Sequence, residues 1–134
     1  MENIELMKLA EEAREKAYAP YSDFLVGAAL LTRSGKVYTG CNIENAAFSP
    51  TNCAERTAFF KAISEGEREF SAIAIVGGKR GSAPEFCAPC GVCRQVMAEF
   101  CGGDFSIVLG TSKNIQAYSL SDLLPLSFGP GNLR

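Results

Sequence analysis

A length of 134 residues predicts a single domain spanning 1–134, long enough to bury roughly two-thirds of its unfolded surface. A hydrophobic fraction of 47% with 21% charged residues excludes a disordered or fibrous chain. The formal net charge of −2 argues against a surface built to hold a polynucleotide backbone, and no apolar run approaches the ~20 residues of a membrane span. Met1-Glu2-Asn3 is followed by neither a basic start nor an apolar stretch, so the expected address is the cytoplasm.

Leu6, Leu9, Ala10, Ala13 and Ala17 recur at helical spacing and predict an amphipathic helix from Glu2 to about Ala17, ended by Pro20. Phe24 to Leu31 is a near-continuous apolar run, the pattern of a central strand buried on both faces. Thr32-Arg33-Ser34-Gly35 reads as a turn, and Lys36 to Cys41 returns as a second strand. Glu44 to Asn52 is rich in breakers and reads as loop. A helix is expected from Cys53 to about Ser64, closed by Gly66, and a third strand over Ala72–Val76. After a loop from Gly77 to Phe86, Gly91 to about Phe100 reads as a helix with Val92, Val96, Met97 and Phe100 on one side. Phe105–Leu109 and Ile115–Tyr118 read as strands, and Ser119-x-x-Asp122 as a capping box before a short helix curtailed by Pro125. This order implies an α/β fold, with one mixed sheet covered by helices.

Six cysteines and no histidine shape the chemistry. Metal or acid–base work must fall to Cys, Asp and Glu. The cysteines could form disulfides or bind metal, and the lack of a secretion signal favours metal. Cys53 opens one predicted helix, while Cys90 and Cys93 share the first turn of another. Three thiolates at a tetrahedral zinc leave the fourth position for water, as catalytic sites require. Helix N-termini lower thiol pKa and help keep such ligands ionised. A zinc ribbon normally uses two close pairs, and here Cys53 stands far from the others; a redox pair of Cys90 and Cys93 remains open. Cys87 adds a third local thiol, and Cys41 and Cys101 read as buried structural thiols.

Cys53-Ala54-Glu55 followed by Pro89-Cys90-Gly91-Val92-Cys93 resembles the cytidine deaminase family, in the subgroup with three cysteine ligands. Further stretches resemble family boxes: Ala19-Pro20-Tyr21-Ser22, Phe24 with Val26-Gly27-Ala28-Ala29-Leu30, Gly40-Cys41-Asn42-Ile43-Glu44-Asn45-Ala46, and Cys90 through Gln95. They run in order from about Tyr18 to Gln95. The resemblance implies a three-layer α/β/α fold with a mixed five-stranded sheet. It also implies zinc as cofactor, Cys53, Cys90 and Cys93 as its ligands with Cys87 spare, and Glu55 as the proton shuttle. The reaction implied is hydrolytic deamination of cytidine and 2′-deoxycytidine, a step of pyrimidine salvage.

Three thiolates carry more negative charge than zinc neutralises, so a compensating cation is expected. Arg56 and Arg94, close behind the ligands, are the candidates, and the resemblance favours Arg56. It further implies that Asn42 and Glu44 bind the ribose, chiefly the 3′-hydroxyl, that Phe24 packs on the pyrimidine, and that the Ala54 N–H binds the base carbonyl. Phe128 resembles an aromatic that reaches a neighbouring subunit's site in a homotetramer. Phe48 stands where relatives often have tyrosine, and it brings no hydroxyl for an inter-subunit hydrogen bond at that position. Alternatives are a deaminase of another cytosine compound such as a nucleoside antibiotic, a polynucleotide-editing deaminase, and a zinc-stabilised binding module. The second calls for a basic, aromatic groove that this chain lacks.

Overall fold

A computed structural model describes all 134 residues. The elements are α1 (Asn3–Arg14), β1 (Gly27–Thr32), β2 (Val37–Cys41), α2 (Ala54–Ser64), β3 (Phe70–Val76), α3 (Gly91–Phe100), β4 (Ser106–Thr111), β5 (Asn114–Ser119) and α4 (Leu120–Leu123), before a final 3₁₀ turn at Pro130–Asn132. The strands form one mixed sheet in the order β2-β1-β3-β4-β5. Only β3 and β4 run parallel, and α3 lies in the long connection that parallel neighbours require. All other neighbours are antiparallel.

The sheet is covered on both faces, as the expected α/β/α layering requires. Leu6, Met7 and Ala10 of α1 pack with Ala29, Ala74, Val76 and Val108 on one side. On the other, α2 and α3 bury Ala58, Phe59 and Met97 against Leu30, Ile73, Ile75 and Ile107. Phe59 is fully buried and meets Phe70, Phe100 and Phe105 at centroid distances of 5.1, 6.3 and 6.0 Å. Truncating such a side chain typically costs ~3–5 kcal/mol, so this cluster seats both helices firmly. Two glycines let the layers close. A Cβ on Gly27 would lie 2.1 Å from the Ala10 carbonyl of α1, and one on Gly40 would lie 2.5 Å from the Ala54 carbonyl of α2.

Several predicted boundaries shift for tertiary reasons. Helix α1 stops at Arg14, not Ala17, because Tyr18 leaves to bond the loop beyond β2: its N–H donates to the Asn42 carbonyl and its carbonyl accepts from Glu44. Strand β1 begins at Gly27, not Phe24, because Phe24 and Val26 bond to the Asn42 side chain and Leu25 to the Gly78 carbonyl. Strand β3 starts earlier, at Phe70, whereas β4 runs on to Thr111. Val92 is exposed, so the buried side of α3 is carried by Cys93 and Met97, one turn apart. Arg14 is buried at 2% exposure, an outcome no periodicity announces; its guanidinium donates to the Lys79 and Ser82 carbonyls and pairs with Glu15.

The start of β1 and the ends of β2 and β3 meet at one end of the sheet. Gly27 lies opposite both Cys41 and Val76, so the residues just outside the ladder, Val26, Asn42 and Gly77, emerge together. The chain from β2 bonds back on itself through reciprocal Ile43 and Asn52 hydrogen bonds of 2.9 Å, delivering Cys53 to the same end.

Candidate metal centre

Cys53 is the N-cap of α2 and Cys90 that of α3, both in extended backbone. The Cys90 sulfur accepts the amide of Cys93, which turns the first coil of α3 so that Cys93 points to the same spot. The three Sγ atoms lie within 4.8 Å of one another, with Cys53–Cys90 at 3.7 Å and Cys90–Cys93 at 3.3 Å. Tetrahedral zinc–thiolate bonds of ~2.3 Å require sulfurs about 3.8 Å apart, so this triangle closes on zinc with little movement. An all-thiolate set also suits a soft divalent ion. The donors fit the metal.

Charge is distributed unevenly over the triangle. Cys53 is lowered to about 5, first by a hydrogen bond from the Cys93 thiol and then by Arg56, against the opposing cost of burial. Cys93 moves upward as the proton-holding partner. Arg56 Nη2 donates to Cys53 Sγ at 3.2 Å, and this bond raises the arginine further above its ordinary value. Arg56 Nε is buried without a partner, so Nη2 on Cys53 Sγ is the hydrogen bond that anchors the guanidinium. Arg94 does something else: it donates to the carbonyls of Pro89 at 2.8 Å and Leu123 at 2.6 Å, tying the ligand turn to the chain end.

Glu55, the residue before Arg56, is 4% exposed. Burial pushes its carboxyl up to about 7, and the nearby Cys53 charge adds to the rise. A group poised there exchanges protons near neutral pH. It faces a cavity of about 170 Å³ whose wall includes Val26, Asn42, Asn52, Cys53, Ala54, Cys87 and Cys90. The cavity therefore joins thiols, the carboxylate and a polar amide in one small space.

The predicted residues separate into two groups. Cys53, Cys90, Cys93, Ala54, Glu55, Arg56 and Asn42 converge. Phe24, Glu44 and Phe128 do not line this cavity. The Phe24 ring tip lies 3.0 Å from where a Cβ on Gly77 would sit, close beside Cys87. Glu44 borders an adjoining open cavity of about 410 Å³ with Tyr21, Ser22, Phe48 and Thr51. Phe128 is exposed on the C-terminal tail, its carbonyl accepting from Gln95 at 2.8 Å. Cys87 lines the cavity but stays outside the sulfur triangle, and burial raises it to about 11. Cys41 and Cys101 are half-buried, not fully buried as expected. Burial raises both, Cys101 to about 12.

Val26, Thr51 and Asn52 were not predicted as cavity residues. Thr51 and Asn52 directly precede a ligand, a signal that sequence alone offered; Val26 reads only as core. Asn42 has a structural duty as well. Its Oδ1 accepts the Val26 amide and its Nδ2 donates to the Phe24 carbonyl, each at 2.9 Å, pinning the strand entry to the site.

Residues 1–109 match the family described as the cytidine and deoxycytidylate deaminase zinc-binding region. A relative from Sporosarcina psychrophila named cytidine deaminase is 50% identical over 134 residues, covering 99% of this chain and 96% of that one. Another of that name, from Halalkalibacterium halodurans, is 53% identical over 129 residues, 96% of this chain and 95% of its own. Among solved structures, the crystal structure of cytidine deaminase from Burkholderia pseudomallei is similar with a TM-score of 0.87 and 50% identity, covering 96% of this chain and 100% of that one.

Proposed function

We infer the reaction from a single premise: the chain belongs to the cytidine and deoxycytidylate deaminase zinc-binding family. The protein is a zinc-dependent enzyme that deaminates cytidine, consuming water and releasing ammonia and uridine. Its action on 2′-deoxycytidine, giving 2′-deoxyuridine, is part of the same proposal. The structural observation that supports this premise is the sulfur triangle within 4.8 Å, beside a buried carboxyl that lines a small cavity.

Cys53, Cys90 and Cys93 hold the zinc. Bound there, zinc supplies a Lewis acid that makes water acidic enough to attack C4 of the pyrimidine. Glu55 takes the proton that water gives up as its oxygen adds to C4, and passes it to N3. It then moves the remaining hydroxyl proton to the amino group at C4, so the C4–N bond breaks and ammonia departs. Burial disfavours the charged carboxylate, which suits Glu55 to take up a proton and give it back. Arg56 withdraws charge from Cys53 and offsets the excess of a three-thiolate site. The Ala54 N–H at the helix start binds the base carbonyl, Phe24 packs on the ring, and Asn42 and Glu44 bind the ribose.

The chain acts as one catalytic domain, a reading supported by its one sheet and by relatives that match nearly end to end. We place the enzyme in cytoplasmic pyrimidine salvage; thiolate ligands suit a reducing compartment. A homotetramer is favoured because Phe128 lies exposed and outside its own chain's cavity, available to a neighbour's. Its partners are then a free nucleoside and other copies of the chain, with no nucleic acid or membrane. A deaminase of nucleoside antibiotics is the weaker reading, since the relatives with half their residues identical are named for cytidine. The deciding experiment incubates zinc-loaded protein with cytidine and follows absorbance with ammonia release. Equal amounts of uridine and ammonia are expected; no ammonia would sink the proposal.

A further inference from the structure

Glu44, expected to reach a sugar hydroxyl, lies in the loop that follows β2. Its Oε1 accepts the backbone amides of Tyr21 at 2.9 Å and Ser22 at 3.2 Å. Its Oε2 accepts the hydroxyl of Ser22. That same hydroxyl oxygen accepts the amide of Phe24 at 3.0 Å, bridging Asp23, which sits at φ 60°. The left-handed region is unusual outside glycine, and side-chain-to-backbone bonds of this kind hold such turns. The other end of Phe24 is held as well, because its carbonyl accepts from Asn42. Ser22 is thus the one side chain bonded at once to the Glu44 carboxylate and to the Phe24 backbone.

We propose that Ser22 is a positioning residue for sugar recognition: it aims the Glu44 carboxylate at a sugar hydroxyl and locks that carboxylate to the segment carrying Phe24. The inference rests on the proposed role of Glu44 in binding the ribose. An ionised carboxylate has about four acceptor positions and no donor. Three are filled from Tyr21 and Ser22, so what remains open on Oε2 accepts from a ligand O–H. The Ser22 bond is also the first cause that holds Glu44 below the ordinary carboxylate range, which keeps it an acceptor. A nucleoside lacking sugar hydroxyl donors has nothing to offer there. The consequence is selectivity, read most directly as preference for cytidine over 2′,3′-dideoxycytidine.

The test compares the ratio of kcat/KM for those two nucleosides in zinc-loaded wild type, Ser22→Ala, Ser22→Thr and Glu44→Ala, with zinc content measured in each. Charge-assisted hydrogen bonds predict that Ser22→Ala lowers the ratio about tenfold, with most of the loss in KM for cytidine. Ser22→Thr, which keeps the hydroxyl, should restore the ratio. A purely structural role for Ser22 would depress both nucleosides equally and leave the ratio unmoved, overturning the proposal. If Glu44→Ala collapses the ratio while Ser22→Ala does not, Ser22 alone is misassigned. If Glu44→Ala leaves the ratio intact, the ribose reading of Glu44 fails and takes this inference with it.

Discussion

The first turns of α2 and α3 begin alike and end differently. Each has a cysteine as N-cap and an arginine within the next four residues. At α2 the arginine turns back onto the cap, Arg56 donating to Cys53 Sγ at 3.2 Å. At α3 it turns away, Arg94 donating to the Pro89 and Leu123 carbonyls. Meanwhile α3 supplies a second thiol at Cys93, bonded through its amide to the Cys90 sulfur, where α2 supplies the carboxyl of Glu55. One helix start therefore pairs a sulfur with a guanidinium beside a buried carboxyl, and the other brackets two sulfurs. Identical residue types in similar places do different work because their partners differ, and only the packed structure says which.

The largest effect should come from removing the sulfurs that join the two turns. Cys53→Ala, Cys90→Ala or Cys93→Ala is expected to lose zinc, activity and much stability together, because metal binding and folding are linked. Metal analysis with a thermal melt checks this, and a fully zinc-loaded variant would break the assignment. Glu55→Gln comes next. It preserves shape, so zinc should persist while kcat falls by ~10²–10⁴-fold or more, since one residue serves several transfers. Near-normal turnover would remove the carboxylate from the mechanism.

The two arginines sharpen the contrast directly. Arg56→Gln should lower kcat by roughly 10-fold or more and move the pH–rate profile to higher pH, because the sulfurs regain charge. Arg94→Gln should instead cost about 1–2 kcal/mol of stability, with the pH profile in place. If both variants shift the profile equally, the division between the helix starts is wrong.

A pH-dependent effect belongs to the zinc-free protein. There Glu55 is held at about 7, first by burial, above the ordinary 4.5. The folded state then binds the proton more tightly than the unfolded state, so this stabilisation is full below the unfolded pKa and fades as pH rises through about 7. Relative to metal-free Glu55→Gln, the wild type should lose about 3 kcal/mol between pH ~4.5 and ~8. Urea midpoints in the presence of chelator would show whether the two pH curves diverge in that sense. Cys87→Ala should do least. It lies outside the triangle, so zinc and activity should both persist; loss of zinc would make Cys87 a ligand.

Much of this was legible in the residues. The near-continuous apolar run ending in Leu31, the alternation of strand and helix signals, and the capping box at Ser119 announced the layers, because burial pattern and turn chemistry are local properties. The thiols were legible as a possible metal set because soft ligands in a chain without histidine point to one, and Glu55 was legible only through the resemblance of Cys53-Ala54-Glu55 to a family box. Boundaries were less legible where long-range bonds compete with local ones. Helix α1 surrenders its last turn to Tyr18 pairing beyond β2, and Phe24 leaves the ladder for the Asn42 side chain.

The amino-acid order by itself carried the kind of sheet in its burial pattern and, through the resemblance of Cys53-Ala54-Glu55 and Pro89-Cys90-Gly91-Val92-Cys93 to the cytidine deaminase family, the proposed ligands and proton carrier. Only the tertiary structure decided that Arg94 turns to the Pro89 and Leu123 carbonyls, that Asn42 lines the cavity while Glu44 borders the next, and that Arg14 is buried beneath the loop at Lys79–Ser82. Those outcomes depend on where strands β1, β2 and β3 end relative to one another. Directional bonds between residues far apart in sequence exist only once the packed core has brought both partners within ~3 Å.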